Sequence, residues 1–157
     1  MKRSPFVAVV IGLALVLYIY TSSVKPSPAM KNAQANLTEQ IQEALSNIKN
    51  SDSPEAQMQG VLQMKALADQ YPQNADLQWN MGLFSMQSGQ YSKAANRFEK
   101  VVQLDDDRLE AHMQLALSYA ALKDTTQARN ALSTLITKSE GDLQARAVTM
   151  LEKLKQY

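Results

Sequence analysis

The sequence predicts an all-α protein in which one transmembrane helix precedes a stack of helical hairpins. Three observations predict it: a charge-free apolar run near the N-terminus, a pattern that recurs at a fixed interval, and the lack of any strand pattern or cysteine. Without cysteine, disulfide frameworks, thiolate metal sites and cysteine nucleophiles are excluded. Beyond Lys2 and Arg3 the chain carries 14 basic and 15 acidic side chains, a balance that offers no long-range field to nucleic acid.

The apolar run at 6–20 follows Lys2 and Arg3 and ends before Lys25. With its flanks it is about 20 residues long, and as a helix it would span roughly 30 Å, the thickness of a bilayer's hydrocarbon core. We therefore predict a single-pass signal anchor at 1–24. The positive charge before the run indicates a cytoplasmic N-terminus, with the C-terminal domain on the outer, periplasmic side of the inner membrane.

Cleavage of this segment is the alternative. Thr21 and Ser23 are small enough for a signal-peptidase site, and cleavage after Ser23 would release a secreted soluble protein. The apolar core is at the upper length limit for a signal peptide and lacks an Ala-x-Ala site, which favours the uncleaved anchor. Residues 25–36, which show no strong apolar period, are predicted to be a flexible tether.

The stretch 75–142 contains two copies of one pattern, at 75–108 and at 109–142. Gly82 and Ala94 of the first copy correspond to Ala116 and Ala128 of the second. Two antiparallel helices approach closely only where side chains are small, so these positions predict the contact points of two helical hairpins.

An earlier, degenerate copy precedes these two. Gly60 and Met64 stand one full period before Ala94 and Phe98, and Ser53 is suited to cap the helix that carries them. The predicted soluble domain, 37–157, then comprises a degenerate repeat at 37–74, repeats at 75–108 and 109–142, and a capping helix at 143–157.

The capping helix is predicted from its two-sided pattern. Leu143 and Ala147 lie on its inner face, and Arg146 and Lys153 lie on its outer face. Asp142 is the expected N-cap. A helix with a polar back closes the last apolar face of an open-ended stack.

The first full copy carries motifs that identify a family. Trp-Asn-Met-Gly at 79–82, Gly-Gln-Tyr at 89–91 and the spacing of Ala94 and Phe98 resemble the tetratricopeptide repeat family, whose period of about 34 residues is also the interval between the two copies. In the later copy Lys123 replaces the family's turn glycine. The resemblance implies about three hairpins whose first helices line a concave groove that takes extended peptides or helices.

By this resemblance, the partner-binding groove is lined by the first helices of two successive hairpins. Its residues would be Asp76, Trp79, Asn80, Leu83, Met86 and Gln87 in one hairpin and Glu110, Met113, Gln114, Leu117 and Ala121 in the next. Trp79 either anchors a partner in the groove or packs against the preceding helix at 54–71. One subset of the family grips acidic C-termini with cations, which these positions lack, so an apolar or amide-bonded peptide is expected.

Residues for catalysis or metal binding are sparse. His112 is the only histidine, and we expect it on the surface or in the groove rather than in a catalytic or ligand set. The run Asp105–Asp107 lacks the spacing, glycine and closing glutamate of a calcium loop, and a helix end, a turn and an N-cap explain it better. We predict no enzyme activity, no cofactor, no metal and no small-molecule substrate.

The function predicted from these features is a membrane-anchored scaffold or adaptor that binds a partner protein or peptide on the outer side. Two alternatives are an assembly or chaperone-like helper for exported proteins, at the translocon or in cytochrome maturation, and a secreted soluble repeat protein after signal cleavage. The helper alternative depends on analogy of architecture alone.

Overall fold

Seven helices joined by short turns make up residues 27–155, which are the residues that the computed structural model describes, and no strand occurs among them. The predicted all-α class is confirmed for this part of the chain. The helices are α1 (Pro28–Asn50), α2 (Pro54–Gln70), α3 (Ala75–Gln87), α4 (Tyr91–Leu104), α5 (Leu109–Ala121), α6 (Thr125–Lys138) and α7 (Gly141–Leu154).

The chain divides into two compact units, one ending at Glu39 and the other beginning at Gln40. In the first unit the described residues are the N-terminal turns of α1, and the tether predicted at 25–36 is wrong from Pro28 onward. Pro28 is suited to a first helical turn, and the alanine, lysine and glutamine that follow are good helix formers. No apolar period indicated this part of the helix, because Lys31 to Asn36 are exposed along it.

No helix among residues 27–155 is long and apolar enough to cross a bilayer. The signal anchor predicted at 1–24 lies outside the described residues, as do the last two residues of the chain.

In the second unit, α1 and α2 form the first hairpin. Ile41 and Ala44 are buried, and a Cβ on Gly60 would lie 2.8 Å from the Ala44 carbonyl oxygen, so the two helices meet where the glycine leaves room. The Ser53 hydroxyl accepts a hydrogen bond from the Ala56 amide (3.3 Å) at the start of α2. The predicted N-cap is therefore confirmed.

In the second hairpin, helices α3 and α4 pack closely at Gly82. A Cβ at this position would lie 2.6 Å from the Phe98 ring, so the ring occupies the space that the missing side chain leaves. Phe98 and Ala94 are both fully buried. The role predicted for the small residues of this repeat is confirmed.

The third hairpin, α5 and α6, repeats this arrangement with alanine in both places. Ala116 and Ala128 are fully buried, as is Leu132, which corresponds to Phe98. At the turn between the helices Lys123 has a φ of 62°, close to the 71° of the corresponding Gly89. The two turns thus share a left-handed backbone conformation, although Lys123 carries a side chain where the earlier turn has a glycine.

Helix α7 covers the end of the stack with the predicted polarity: Ala147 is fully buried, while Arg146 and Lys153 are exposed. Its start differs from the prediction. The N-cap residue is Glu140 and Asp142 lies in the first turn, and Gly141 between them has a φ of 65°, a left-handed conformation that glycine adopts without strain.

Candidate protein-binding groove

The first helices of successive hairpins lie side by side. The Ser118 hydroxyl of α5 lies 3.1 Å from the Met86 sulfur of α3. Further along, Met113 and Leu117 of α5 border one groove together with Met150 of α7. Helices α3, α5 and α7 therefore form one continuous face, called here the first-helix face.

Trp79 packs within its own hairpin. Its ring meets Phe98 of α4 edge to face at a centroid distance of 5.5 Å, and the Arg108 guanidinium carbon lies 5.8 Å from its centroid. The tryptophan is half-buried against the core of α3 to α7. The ring thus contacts the second helix of its own hairpin, a position that neither of the two sequence-based alternatives gave.

Arg108 links two hairpins at one end of this face. Its guanidinium donates to the Asp76 carboxylate of α3 at 2.7 Å and to Asp105 at 3.0 Å. Asp76, predicted to meet a partner, is thus already engaged within the protein. Arg108 was not among the residues predicted for the groove, because it precedes α5 and does not lie in it. The three carboxylates at 105–107, directly before Arg108, were the sequence feature that could have indicated an ion pair at this residue.

The remaining predicted residues of α3 differ in their availability. Leu83 and Met86 are half-buried against the core and leave part of their apolar surface accessible. The Asn80 amide donates to the Asp76 carbonyl oxygen at 2.8 Å, within its own helix. Gln87 is exposed and borders a different groove, described below.

The exposure of the predicted residues on α5 varies with their position around the helix. Met113 is only 5% exposed and contributes little surface to the groove, whereas Leu117 is 37% exposed. Gln114 is half-buried, and Glu110 and Ala121 are exposed. Leu117 is thus the most accessible large apolar side chain among the predicted residues of this helix.

A groove of about 500 Å³ lies between α5 and α7. Its lining is apolar at Met113, Leu117 and Met150 and cationic at Arg146 and Lys153. The two cations are seven residues apart on α7, which is about 10 Å along the helix axis. By sequence pattern the two residues belong to the solvent side of a capping helix, although their two-turn spacing already places them on one face of it.

His112 is buried, with 4% of its surface exposed, so the expected surface or groove position is wrong. The expectation of an exposed position is wrong because α5 is covered on more than one side, by α4 and by α6. The imidazole Nε2 lies 3.6 Å from an Asp106 carboxylate oxygen, too far for a hydrogen bond, and the described residues offer it no closer acceptor. Burial lowers the pKa of His112 below its ordinary value, Lys138 adds to this effect, and Asp106 opposes it.

The acidic run is used within the fold. Asp105 ends α4 and accepts from Arg108, and the Asp106 carboxylate pairs with Lys138, which lowers the pKa of Asp106. The N-cap residue of α5 is Arg108, with no side-chain cap, so the N-cap expected from this run is not formed. In the part of the chain that the structure describes, no group of three or more suitable side chains could hold a metal ion.

Tyr119, the aromatic of the later repeat, joins two hairpins. Its hydroxyl donates to the Glu99 carboxylate of α4, and this bond raises the pKa of Tyr119 to about 12. The carboxylate of Glu99 is thereby held towards α5.

The geometry defines a solenoid of helical hairpins that presents a first-helix face. The tetratricopeptide repeat family model matches residues 85–151, from the end of α3 into α7. The match supports the family resemblance and covers the whole later copy, whose turn lacks the family's glycine. No curated protein matches the chain. Repeats of this family suggest a scaffold for protein–protein interaction.

Proposed function

We propose that this protein is a membrane-anchored adaptor that binds a partner protein or peptide along the first-helix face. The observation that carries the proposal is the groove between α5 and α7, where the exposed Leu117 lies beside Arg146 and Lys153. The predicted positions on α3 and α5 lack cations, but α7 supplies two beside this apolar floor. The apolar or amide-bonded peptide expected from the sequence is therefore replaced by a segment that offers both apolar and acidic side chains. The side chains described on this face include no convergent set of acid, base and nucleophile that would favour a catalytic role.

The membrane part of the proposal is supported by the sequence. The charge-free run at 6–20 has the length of a bilayer span, and Lys2 and Arg3 precede it. The domain then works on the outer face of the inner membrane. Mass spectrometry of the N-terminus, combined with protease accessibility in spheroplasts, tests both points. An N-terminus beginning after Ser23 would contradict the anchor.

The groove is tested by photocrosslinking in intact membranes, with benzoylphenylalanine in place of Leu117. Leu104, at the end of α4, is the matched control, since the two leucines are 37% and 36% exposed. We expect a discrete crosslinked species identified by mass spectrometry at position 117 and its absence at 104. The same products at both positions, or none at 117, would contradict the proposed groove.

Trp79 is unsuited to this test. Its ring packs on Phe98 and under Arg108, so Trp79→Ala would alter the fold together with the surface.

A further inference from the structure

A second groove, of about 1050 Å³, lies among α2, α3 and α4 and is called here the α2–α4 groove. Its apolar lining comes from Val61 of α2 and from Met81 and Phe84 of α3. Apart from Gln87, none of the residues predicted for the first-helix face borders it. The α2–α4 groove is thus a separate surface.

The charge of the α2–α4 groove is strongly one-sided. Four of its fourteen lining residues are cationic and one, Glu99, is acidic. The Glu99 carboxylate accepts a hydrogen bond from Tyr119, which occupies part of its capacity. The chain as a whole is close to neutral, so the cations are concentrated here. The cationic residues are Lys65, Lys93, Arg97 and Lys100.

The cations of α4 are arranged along one side of the helix. Lys93, Arg97 and Lys100 follow the i, i+4, i+7 spacing, which aligns them over about 10 Å. Arg97 is fixed in place, because its Nη1 donates to the Gln78 side-chain oxygen at 2.6 Å and Gln78 is fully buried. Lys93 and Lys100 are exposed and can reach a ligand above the groove.

The α2 wall adds apolar surface. Val61 and Lys65 line the groove, and Met58 and Leu62, which are 59% and 57% exposed, lie within one turn of them but outside the lining. Lys65 pairs with Asp69 at 3.0 Å, but both side chains are more than half exposed, and such pairs contribute little. An occupant would therefore meet the apolar side chains of Val61, Met81 and Phe84 and, along α4, a row of cations.

We propose that the α2–α4 groove binds an amphipathic helix of a partner protein whose apolar stripe is flanked by acidic residues. The groove follows α4 from Lys93 to Gln103, about 15 Å, which accommodates roughly three helical turns. A helix in this position would place its apolar stripe on Val61 and Phe84 and its carboxylates near Lys93 and Lys100. A recessed apolar floor suits a helix better than a flat lipid surface.

The test uses the full-length chain in neutral detergent and a fluorescent peptide of about 14 residues, roughly four turns. The peptide carries a leucine stripe flanked by glutamates; a second peptide has lysine in place of each glutamate. The variant Lys93→Glu/Lys100→Glu is compared with Lys49→Glu/Arg129→Glu, which changes the net charge equally at exposed sites outside the groove. Arg97 is left intact because it supports the buried Gln78.

We expect the acidic peptide to bind and the lysine peptide not to bind. Lys93→Glu/Lys100→Glu should weaken binding about tenfold or more, as expected for charge pairs at an interface, and the control pair should not. Equal losses in both variants, or no binding of the acidic peptide, would overturn the proposal. So would recruitment to phosphatidylglycerol vesicles that depends on Lys93 and Lys100 without binding of the peptide. Crosslinking at Leu117 reports the other groove and is unaffected by any of these results.

Discussion

The first hairpin and the two that follow share one repeat register but differ in how they are packed. Phe98 and Leu132 lie in one hydrophobic cluster, which draws its members from α3 to α7 and includes none from α1 or α2. Met64, at the corresponding place in α2, is also fully buried, yet Met58 and Leu62 on the same helix are largely exposed. A shared register therefore sets the contacts within a hairpin, while the contacts between hairpins decide whether it joins the common core.

The largest effect on stability is expected from a variant that removes a buried side chain from the common core. Phe98→Ala removes a fully buried ring that fills the space beside Gly82 and should lower the free energy of unfolding by about 3–5 kcal/mol. Denaturant unfolding measures this loss. Hydrogen exchange should show faster exchange throughout α3 to α7, because their core is shared.

Met64→Ala is the matched variant in the first hairpin. It also removes a fully buried side chain, but exchange should accelerate in α2 and in α1 from Gln40 onward, with α5 to α7 unchanged. If Met64→Ala accelerated exchange across all helices, as Phe98→Ala does, the difference between the hairpins would be refuted.

A pH effect of intermediate size is expected from His112 in the third hairpin. His112 is buried and its pKa in the folded protein is lowered, so the unfolded chain takes up a proton more readily, at its ordinary pKa near 6.5. The contribution of neutral His112 is fully present above that pH and is lost as the pH falls below it. In thermal melts, His112→Gln should lose less stability than the unaltered protein between pH 7.5 and pH 5.5. An identical pH dependence in both would contradict this expectation.

The smallest effect concerns the turns of the two later repeats. Lys123 has a φ of 62°, which costs a residue with a Cβ about 1–2 kcal/mol, so Lys123→Gly should stabilise the protein by roughly 1 kcal/mol. Gly89→Lys is the reverse exchange at the corresponding turn, where a Cβ would meet no atom within 4 Å. It should destabilise by a similar amount. Effects of the same sign in the two variants would show that the turns are not equivalent.

The register predicted the hairpins well because it depends on close helix contact, which requires a small residue. Gly82 and Ala94 could be recognised from the sequence for that reason, and the structure places both between packed helices. The Ser53 cap was predictable on similar grounds, since a local side-chain bond fixes it.

What the sequence did not predict depends on contacts between elements that are distant in the chain. The burial of His112 follows from helices on more than one side of α5, which a single stripe does not reveal. Arg146 and Lys153 are exposed cap residues by pattern, but the position of α7 beside α5 makes them one side of a groove. The α2–α4 groove likewise arises from three helices and from no local motif.

The position of Arg108 has a consequence for the curvature of the array. One guanidinium reaches the Asp76 carboxylate of one hairpin, the Asp105 carboxylate that ends it and the Trp79 ring between them. A change in the angle between these two hairpins would have to reorient or break this planar fork, whose donor directions are fixed. Arg108 therefore adds to the resistance that side-chain packing offers to bending of the array at this junction.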